Sequence, residues 1–457
     1  MSFKKKHLEA VNTSSWAQKT ANSLAEKIMS DSTGAFWHKE ESISYMLKQA
    51  KELDEQKEKG ALYGVSFGVK DLFTIKGLTT TAGSSMLKNF KAPYTSTLVQ
   101  DILNHGALMS GRLAMDEFAM GSYSNTSPFG RVSMPGKPEH TAGGSSGGSA
   151  SAMNVLDFTL GSDTGGSVRQ PASFCGYVGY KPSYHAFSRF GMISYASSLD
   201  QAGFFTHNVE DLEYLMNLGL SRADERDTTS FGLTKNKVTG SGKIGFFPEI
   251  LESDLQPDVR MAYARTLERF PKDRLMPIRM KYLKHAIETY YVVACAEASS
   301  NLARYQGVYF GEDLDSYEGS YWDKVAQNRS KHFGIEVQKR IMLGSFITSS
   351  ENFSAIYEKA TGVRKALKQE FYEVFEKVGM LVLPVSPFTA PTWDEISQKS
   401  SAEIYMGDFM TVPFSLAGLP ALSLPIEKSS SGMPIGMQFV GKAMEDFDLI
   451  SRCRNIL

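Results

Sequence analysis

The stretch Gly143–Lys181, GGSSGGSASAMNVLDFTLGSDTGGSVRQPASFCGYVGYK, decides how the rest of the 457-residue chain is read. Two glycine-serine clusters, Gly143 to Ser149 and Gly165 to Ser167, flank an apolar run from Val155 to Leu160 that predicts a short buried strand. A GGSSGG run alone reads as a linker or turn, but a linker does not resume at once into VLDFTLGSD. A phosphate cradle would need GxxxxGK[ST], and no lysine follows these glycines directly. What remains is a pair of serine loops folded onto one sheet edge. Glycine allows positive φ and close backbone approach, so an embedded serine can present its hydroxyl and neighbouring N–H groups outward. A nucleophile with an oxyanion hole needs that arrangement.

The same residues resemble the motif of the amidase signature family: GGSSGGS at Gly143 to Ser149, TGGSVR at Thr164 to Arg169, then Pro171-Ala172, Cys175-Gly176 and Lys181-Pro182. The family also carries a lysine at the end of an upstream strand before an aspartate, and the chain has Gly64-Val65-Ser66-Phe67-Gly68-Val69-Lys70-Asp71. The resemblance implies an α/β fold with a central twisted mixed β-sheet covered by helices on both faces. It also implies a Ser-cis-Ser-Lys mechanism: Ser167 as nucleophile, Ser145 after a cis peptide as proton relay, and Lys70 as base. The N–H groups of Thr164, Gly165, Gly166 and Ser167 would form the oxyanion hole. For Lys70 to act as a base its pKa must fall from about 10.4 toward roughly 7 to 8, a shift that burial supplies. Asp163 and Arg169 bracket the nucleophile and are expected to hold the turn. His140, near the first loop, reads as a solvated loop histidine.

Met115 to Gly121 (MDEFAMG), Ala296 to Tyr305, Arg340 to Gly344, Asp408 and Leu416 to Pro420 resemble one branch of that family, GatA, the A subunits of glutamyl-tRNA(Gln) amidotransferases. The similarity spans roughly residues 60 to 441. That branch implies a glutaminase whose substrate is the side-chain amide of glutamine, with Arg340 for the α-carboxylate, Asp408 for the α-amino group and Tyr291 lining the pocket. The planar Arg fork suits a carboxylate. Ammonia would pass to a GatB-type subunit holding ATP and Mg²⁺, with a third small subunit of GatF or GatC type. The tRNA would be contacted mainly through the partner, and no cofactor or metal is expected in this chain. Departures from the pattern are Ala142 in place of Pro, Val168 in place of Ile, and a shorter segment around Asn154 to Asp157. A free-standing amidase acting on other small or acyl amides is the alternative. A non-catalytic scaffold ranks last, because Lys70, Ser145 and Ser167 are all present.

A net charge of −1 leaves no electrostatic footprint for nucleic acid or membrane. Three scattered cysteines, Cys175, Cys295 and Cys453, argue against a disulfide framework and fit a reducing compartment. The amino end, MSFKKKHLEAVNTSSWAQ, is basic and hydroxylated without a long apolar core, so no membrane-spanning or secretory segment is expected there. It reads as a solvated leading helix or a remnant of a mitochondrial presequence. With the trimmed loops, this suggests a mitochondrial matrix location, with a bacterial cytoplasm as the alternative.

The chain divides into a helical segment, residues 1–59, and one domain, residues 60–457, with a polar insertion at about 221–243. Apolar Ile43, Met46, Leu47, Ala50 and Leu53 predict a helix over 41–59 closed by Gly60. The alternation Val65, Phe67, Val69 predicts a strand with Lys70 on its polar face. Further helices are expected at 97–104, 257–270, 280–305 and 333–378. Strands are expected at 107–111, 244–247, 380–385, 422–424 and 437–440.

Overall fold

A computed structural model describes residues 1–235, 241–454 and 456. Its frame, among these residues, is an eleven-stranded mixed sheet. The strands are β1 Phe36–Trp37, β2 Ser66–Lys70, β3 Leu108–Leu113, β4 Phe158–Asp163, β5 Val178–Lys181 and β6 Gln201–Thr206, followed by β7 Ile244–Phe246, β8 Leu275–Pro277, β9 Met380–Pro384, β10 Ala421–Lys428 and β11 Pro434–Val440. Their spatial order is β1-β3-β2-β4-β6-β5-β10-β11-β9-β7-β8. Strands β3, β2 and β4 run parallel on one side, β9, β7 and β8 run parallel on the other, and the central pairings are antiparallel. Helices flank the sheet.

The parallel pairing of β2 with β4 places Val69 opposite Leu160. The carboxyl ends of both strands, Lys70 and Ser162-Asp163, therefore meet at one edge, where α/β sheets place their ligands. Stacked Phe67 and Phe158 rings, 5.3 Å apart, fix that register in the core. All five residues of β2 are buried. The alternation that reads as a half-solvated strand is thus overruled: β2 lies between two neighbours and under helices, and Lys70 is wholly enclosed rather than on a polar face.

Several boundaries move for local reasons. The strand predicted from Val155 begins at Phe158, because Val155 and Leu156 close the preceding helix through bonds to the Ala152 carbonyl. The Asp157 carboxylate meanwhile accepts from Ser66 N and Oγ, both at 2.7 Å. The long helix expected over 333–378 is broken into helix Ile335–Ile347, a π-helical turn Phe353–Glu358 and helix Lys359–Phe375. At the break Thr348, Ser349 and Asn352 turn their side chains onto the carbonyls of Gly344 and Phe346, competing with the backbone ladder. The helix expected over 41–59 runs Lys39–Glu55, and that over 280–305 is confined to Ala286–Leu302. The helix expected over 257–270 ends at Glu268.

The leading helix Phe3–Val11 is not simply solvated, since Phe3 is buried, its N–H donates to Asp211 at 2.8 Å and its ring meets Phe158. In the polar insertion a small hairpin pairs Ala223–Asp224 with Asp227–Phe231, and residues 236–240 lie outside the described residues. His140 is also not free in solvent. It sits in the strand Lys137–Thr141 with Nδ1 2.8 Å from the Ala390 carbonyl oxygen. Among the described residues no helix is long and apolar enough to cross a membrane.

Candidate active site

Lys70 ends β2 with its Nζ inside a socket of hydroxyls: Ser145 Oγ at 2.8 Å, Ser146 Oγ at 2.7 Å and Ser162 Oγ at 2.9 Å. The side chain has no solvent exposure. Burial lowers its pKa to about 7, against the opposing pull of Asp116, Asp163 and Asp200. The ammonium form is disfavoured because a charge in this dry pocket loses more hydration than the carboxylates return.

Ser145 follows a cis peptide bond from Gly144. Only glycine fits at 144: a Cβ there would stand 2.3 Å from Asp116 Oδ2 and 2.7 Å from the Tyr123 nitrogen. Asp116 is the organiser of the facing loop, accepting from the N–H groups of Ser124, Asn125 and Thr126. The second loop leaves β4 at Asp163. Gly166 has φ +153°, and a Cβ on it would meet Thr411 Oγ1 at 2.4 Å. Thr411 donates to the Gly165 carbonyl at 2.5 Å, and Thr164 donates to Asp200 at 2.7 Å. These bonds pin the loop from both sides.

Asp163 and Arg169 hold the turn. The Arg169 guanidinium donates to both Asp163 oxygens at 3.0 and 2.9 Å, and to Thr411, Gln438 and Ser415. The Val168 and Arg169 N–H groups also end on Asp163, capping the helix Arg169–Cys175. Burial works to raise the Asp163 pKa, yet Arg169 carries it below the ordinary carboxylate range. By contrast, the N–H groups of Thr164, Gly165, Gly166 and Ser167 donate to no acceptor among the described residues. The Ser167 hydroxyl also has no hydrogen-bond partner among them, and no bond joins it to Ser145. The two loops are joined one residue earlier, where Gly144 N–H donates to Gln170 Oε1 at 3.0 Å.

The three expected substrate residues converge. Asp408 Oδ2 accepts from Ser122 at 3.0 Å and lies 3.5 Å from the Tyr291 hydroxyl. Burial raises Asp408 to about 6, although Ser122 and Arg340 act to lower it. Arg340 lies among the rings of Tyr195, Tyr291 and Tyr405, 5.5, 5.4 and 5.6 Å from their centroids. The Asp408 carbonyl accepts from the backbone of Thr411, whose hydroxyl holds Gly165, and this ties the pocket to the Thr164–Ser167 loop.

Sequence reasoning missed Ser146, Ser162 and Gln170, although all three stand inside the stretch that decides the fold. It also gave no role to Asp116, although that residue lies in the quoted Met115–Gly121 stretch, nor to Asp200 and Thr411, whose contacts to the loop are long-range. Among the described residues no group of three or more His, Cys, Asp or Glu is placed to hold a metal ion.

With this geometry in place, comparison with known proteins is decisive: a family model described as Amidase matches residues 34–450. The chain belongs to the amidase family. The glutamyl-tRNA(Gln) amidotransferase A subunit of Pelagibacter ubique is 42% identical over 426 residues, covering 90% of this chain and 86% of its own. The crystal structure of the corresponding A subunit from Thermotoga maritima superposes with a TM-score of 0.72 at 34% identity, covering 89% of this chain and 88% of its own. A crystal structure described as an amidase gives a TM-score of 0.80 at 29% identity over 99% and 98% of the two chains. These amidases confirm the expected fold class, a large mixed sheet flanked by helices.

Proposed function

We propose that this amidase is the glutaminase subunit of a tRNA-dependent amidotransferase, hydrolysing glutamine to supply ammonia for converting Glu-tRNA(Gln) to Gln-tRNA(Gln). The observation that carries the reading is the buried Lys70 amine, 2.8 Å from the hydroxyl of Ser145, beside a nucleophile loop with unused backbone donors. Neutral Lys70 takes the Ser145 proton while Ser145 takes that of Ser167, whose oxygen attacks the side-chain amide carbon. The N–H groups of Thr164, Gly165, Gly166 and Ser167 stabilise the oxyanion, one such donor being worth about 3 kcal/mol. The relay returns the proton to the amide nitrogen, the C–N bond breaks and ammonia leaves a γ-glutamyl ester on Ser167. Water, deprotonated by the same relay, then releases glutamate.

In this reading Arg340 takes the α-carboxylate, Asp408 the α-ammonium, and Tyr291 orients Asp408. A GatB-type subunit receives the ammonia, with ATP and Mg²⁺ bound there, and a third small subunit of GatC or GatF type completes the complex. The mitochondrial matrix is the proposed site of action, supported by the trimmed segment around Asn154 to Asp157, with a bacterial cytoplasm as the alternative.

Ammonia release from glutamine, with and without a GatB-type subunit, tests the proposal. Activity that disappears in Lys70→Ala supports it. The match to a solved amidase at TM-score 0.80 favours a second reading, a free-standing amidase. Turnover of simple acyl amides without turnover of glutamine selects that reading instead.

A further inference from the structure

Arg340 reaches the pocket from helix Ile335–Ile347, one turn after Glu336 on the same face. Its Nε donates to Glu336 Oε1 at 2.8 Å, and its Nη2 lies 2.8 Å from the same oxygen. Nη1 donates to the Tyr195 hydroxyl at 2.6 Å. The Nε side of the guanidinium is thus committed to Glu336, and one proton of Nη1 to Tyr195. A guanidinium carries five N–H groups, so one on Nη1 and one on Nη2 remain, and these can form a fork for a carboxylate.

The two partners are themselves anchored. Glu336 Oε1 also accepts from the Tyr405 hydroxyl at 2.8 Å, and the Tyr405 ring packs on Tyr291 with centroids 4.2 Å apart. Tyr195 donates its N–H to Asp200, the same carboxylate that holds Thr164 in the nucleophile loop. A continuous set of contacts therefore runs from the oxyanion-forming turn through Asp200 and Tyr195 to Arg340, and from Arg340 through Glu336 to Tyr405.

We infer that Glu336 is a positioning residue: by occupying the Nε side of Arg340 it fixes the guanidinium plane, so that the Nη1/Nη2 edge meets the substrate's α-carboxylate and selects amino-acid amides over simple amides. The inference rests on the glutaminase reading. A buried arginine without Glu336 keeps its charge but gains freedom to rotate among the three tyrosine rings. The carboxylate then meets a guanidinium that is no longer preorganised.

The test compares glutamine with butyramide, a primary amide lacking the α-carboxylate and α-amino group, in the full complex. Glu336→Ala is expected to raise KM for glutamine about tenfold or more with little change in kcat, the pattern of lost uniform binding. Its kcat/KM for butyramide stays at the wild-type level. Glu336→Gln, whose amide oxygen can still accept from Nε, recovers most of the glutamine KM. Equal losses on both substrates in Glu336→Ala would reduce Glu336 to a structural role and overturn the inference while leaving the glutaminase reading intact. A lower KM for glutamine would show that Glu336 competes with substrate, and overturns it too. Wild-type turnover of butyramide without glutamine turnover overturns the glutaminase reading and this inference together.

Discussion

Removing the Ser162 hydroxyl probes the base directly. Lys70 Nζ has three hydroxyl neighbours, at 2.8, 2.7 and 2.9 Å. A protonated amine donates to all three. A neutral amine donates to two and accepts from one. Ser146 gives its own proton to the Ser162 carbonyl at 3.0 Å, so towards Lys70 it acts only as acceptor. The nitrogen's lone pair must therefore face Ser145 or Ser162. Ser162→Ala deletes one bond in either protonation state. In the ammonium form that bond is charge-assisted, worth about 1.5–3 kcal/mol, against about 0.5–1.5 kcal/mol in the neutral form. The charged form thus loses about 1–1.5 kcal/mol more, or about one pH unit at about 1.36 kcal/mol per unit. Because Lys70 titrates at about 7 and acts when neutral, kcat/KM of the wild type rises with pH through about 7 and then levels. In Ser162→Ala the rising limb should move about one pH unit towards acid, with the plateau retained to within about tenfold because the lone pair is left to Ser145. A pH profile of ammonia release measures this. A limb that stays in place, or moves towards alkali, would refute the assignment of Lys70 as the titrating base.

Other expectations follow from the same contacts. Arg169→Ala strands the buried Asp163 carboxylate and should lower unfolding free energy by about 3–5 kcal/mol in a denaturant titration. Arg169→Lys should not restore it, because an ammonium cannot reproduce the two-pronged contact. Gly144→Ala forces a methyl against Asp116 and the Tyr123 backbone, so it should cost about 1–3 kcal/mol in the same titration and abolish ammonia release. On the proposal that Asp408 takes the α-ammonium, it does so only when ionised, and KM for glutamine should rise as pH falls through about 6. Asp408→Asn should hold KM high at all pH values, removing that dependence.

Much of the site is legible in the sequence because its chemistry is local. Ser145 and Ser167 each sit in a glycine turn, and the positions where a Cβ would collide, 144 and 166, are glycine. Lys70 is different: period-two alternation marks a strand but says nothing of how many layers cover it. Only the sheet order shows β2 enclosed between β3 and β4. Helix extents fail where polar side chains take backbone carbonyls, as at Thr348 and Asn352, since apolar periodicity runs on across the break. Asp200 and Thr411 act through contacts 36 and 246 residues away in the chain, a separation that no motif reports. Glu336 is readable only as an ordinary helical neighbour of Arg340 until the tyrosines around the pair are placed.

The most direct test of the relay is the rate of ammonia release in Lys70→Ala, Ser167→Ala and the double variant, each checked for folding by thermal unfolding. Groups that act as one unit lose nearly everything when any one is removed. The account predicts that each single variant loses activity by several orders of magnitude and that the double is no slower than the worse single. A Lys70→Ala protein that is folded and retains a rate within about tenfold of wild type would contradict the account.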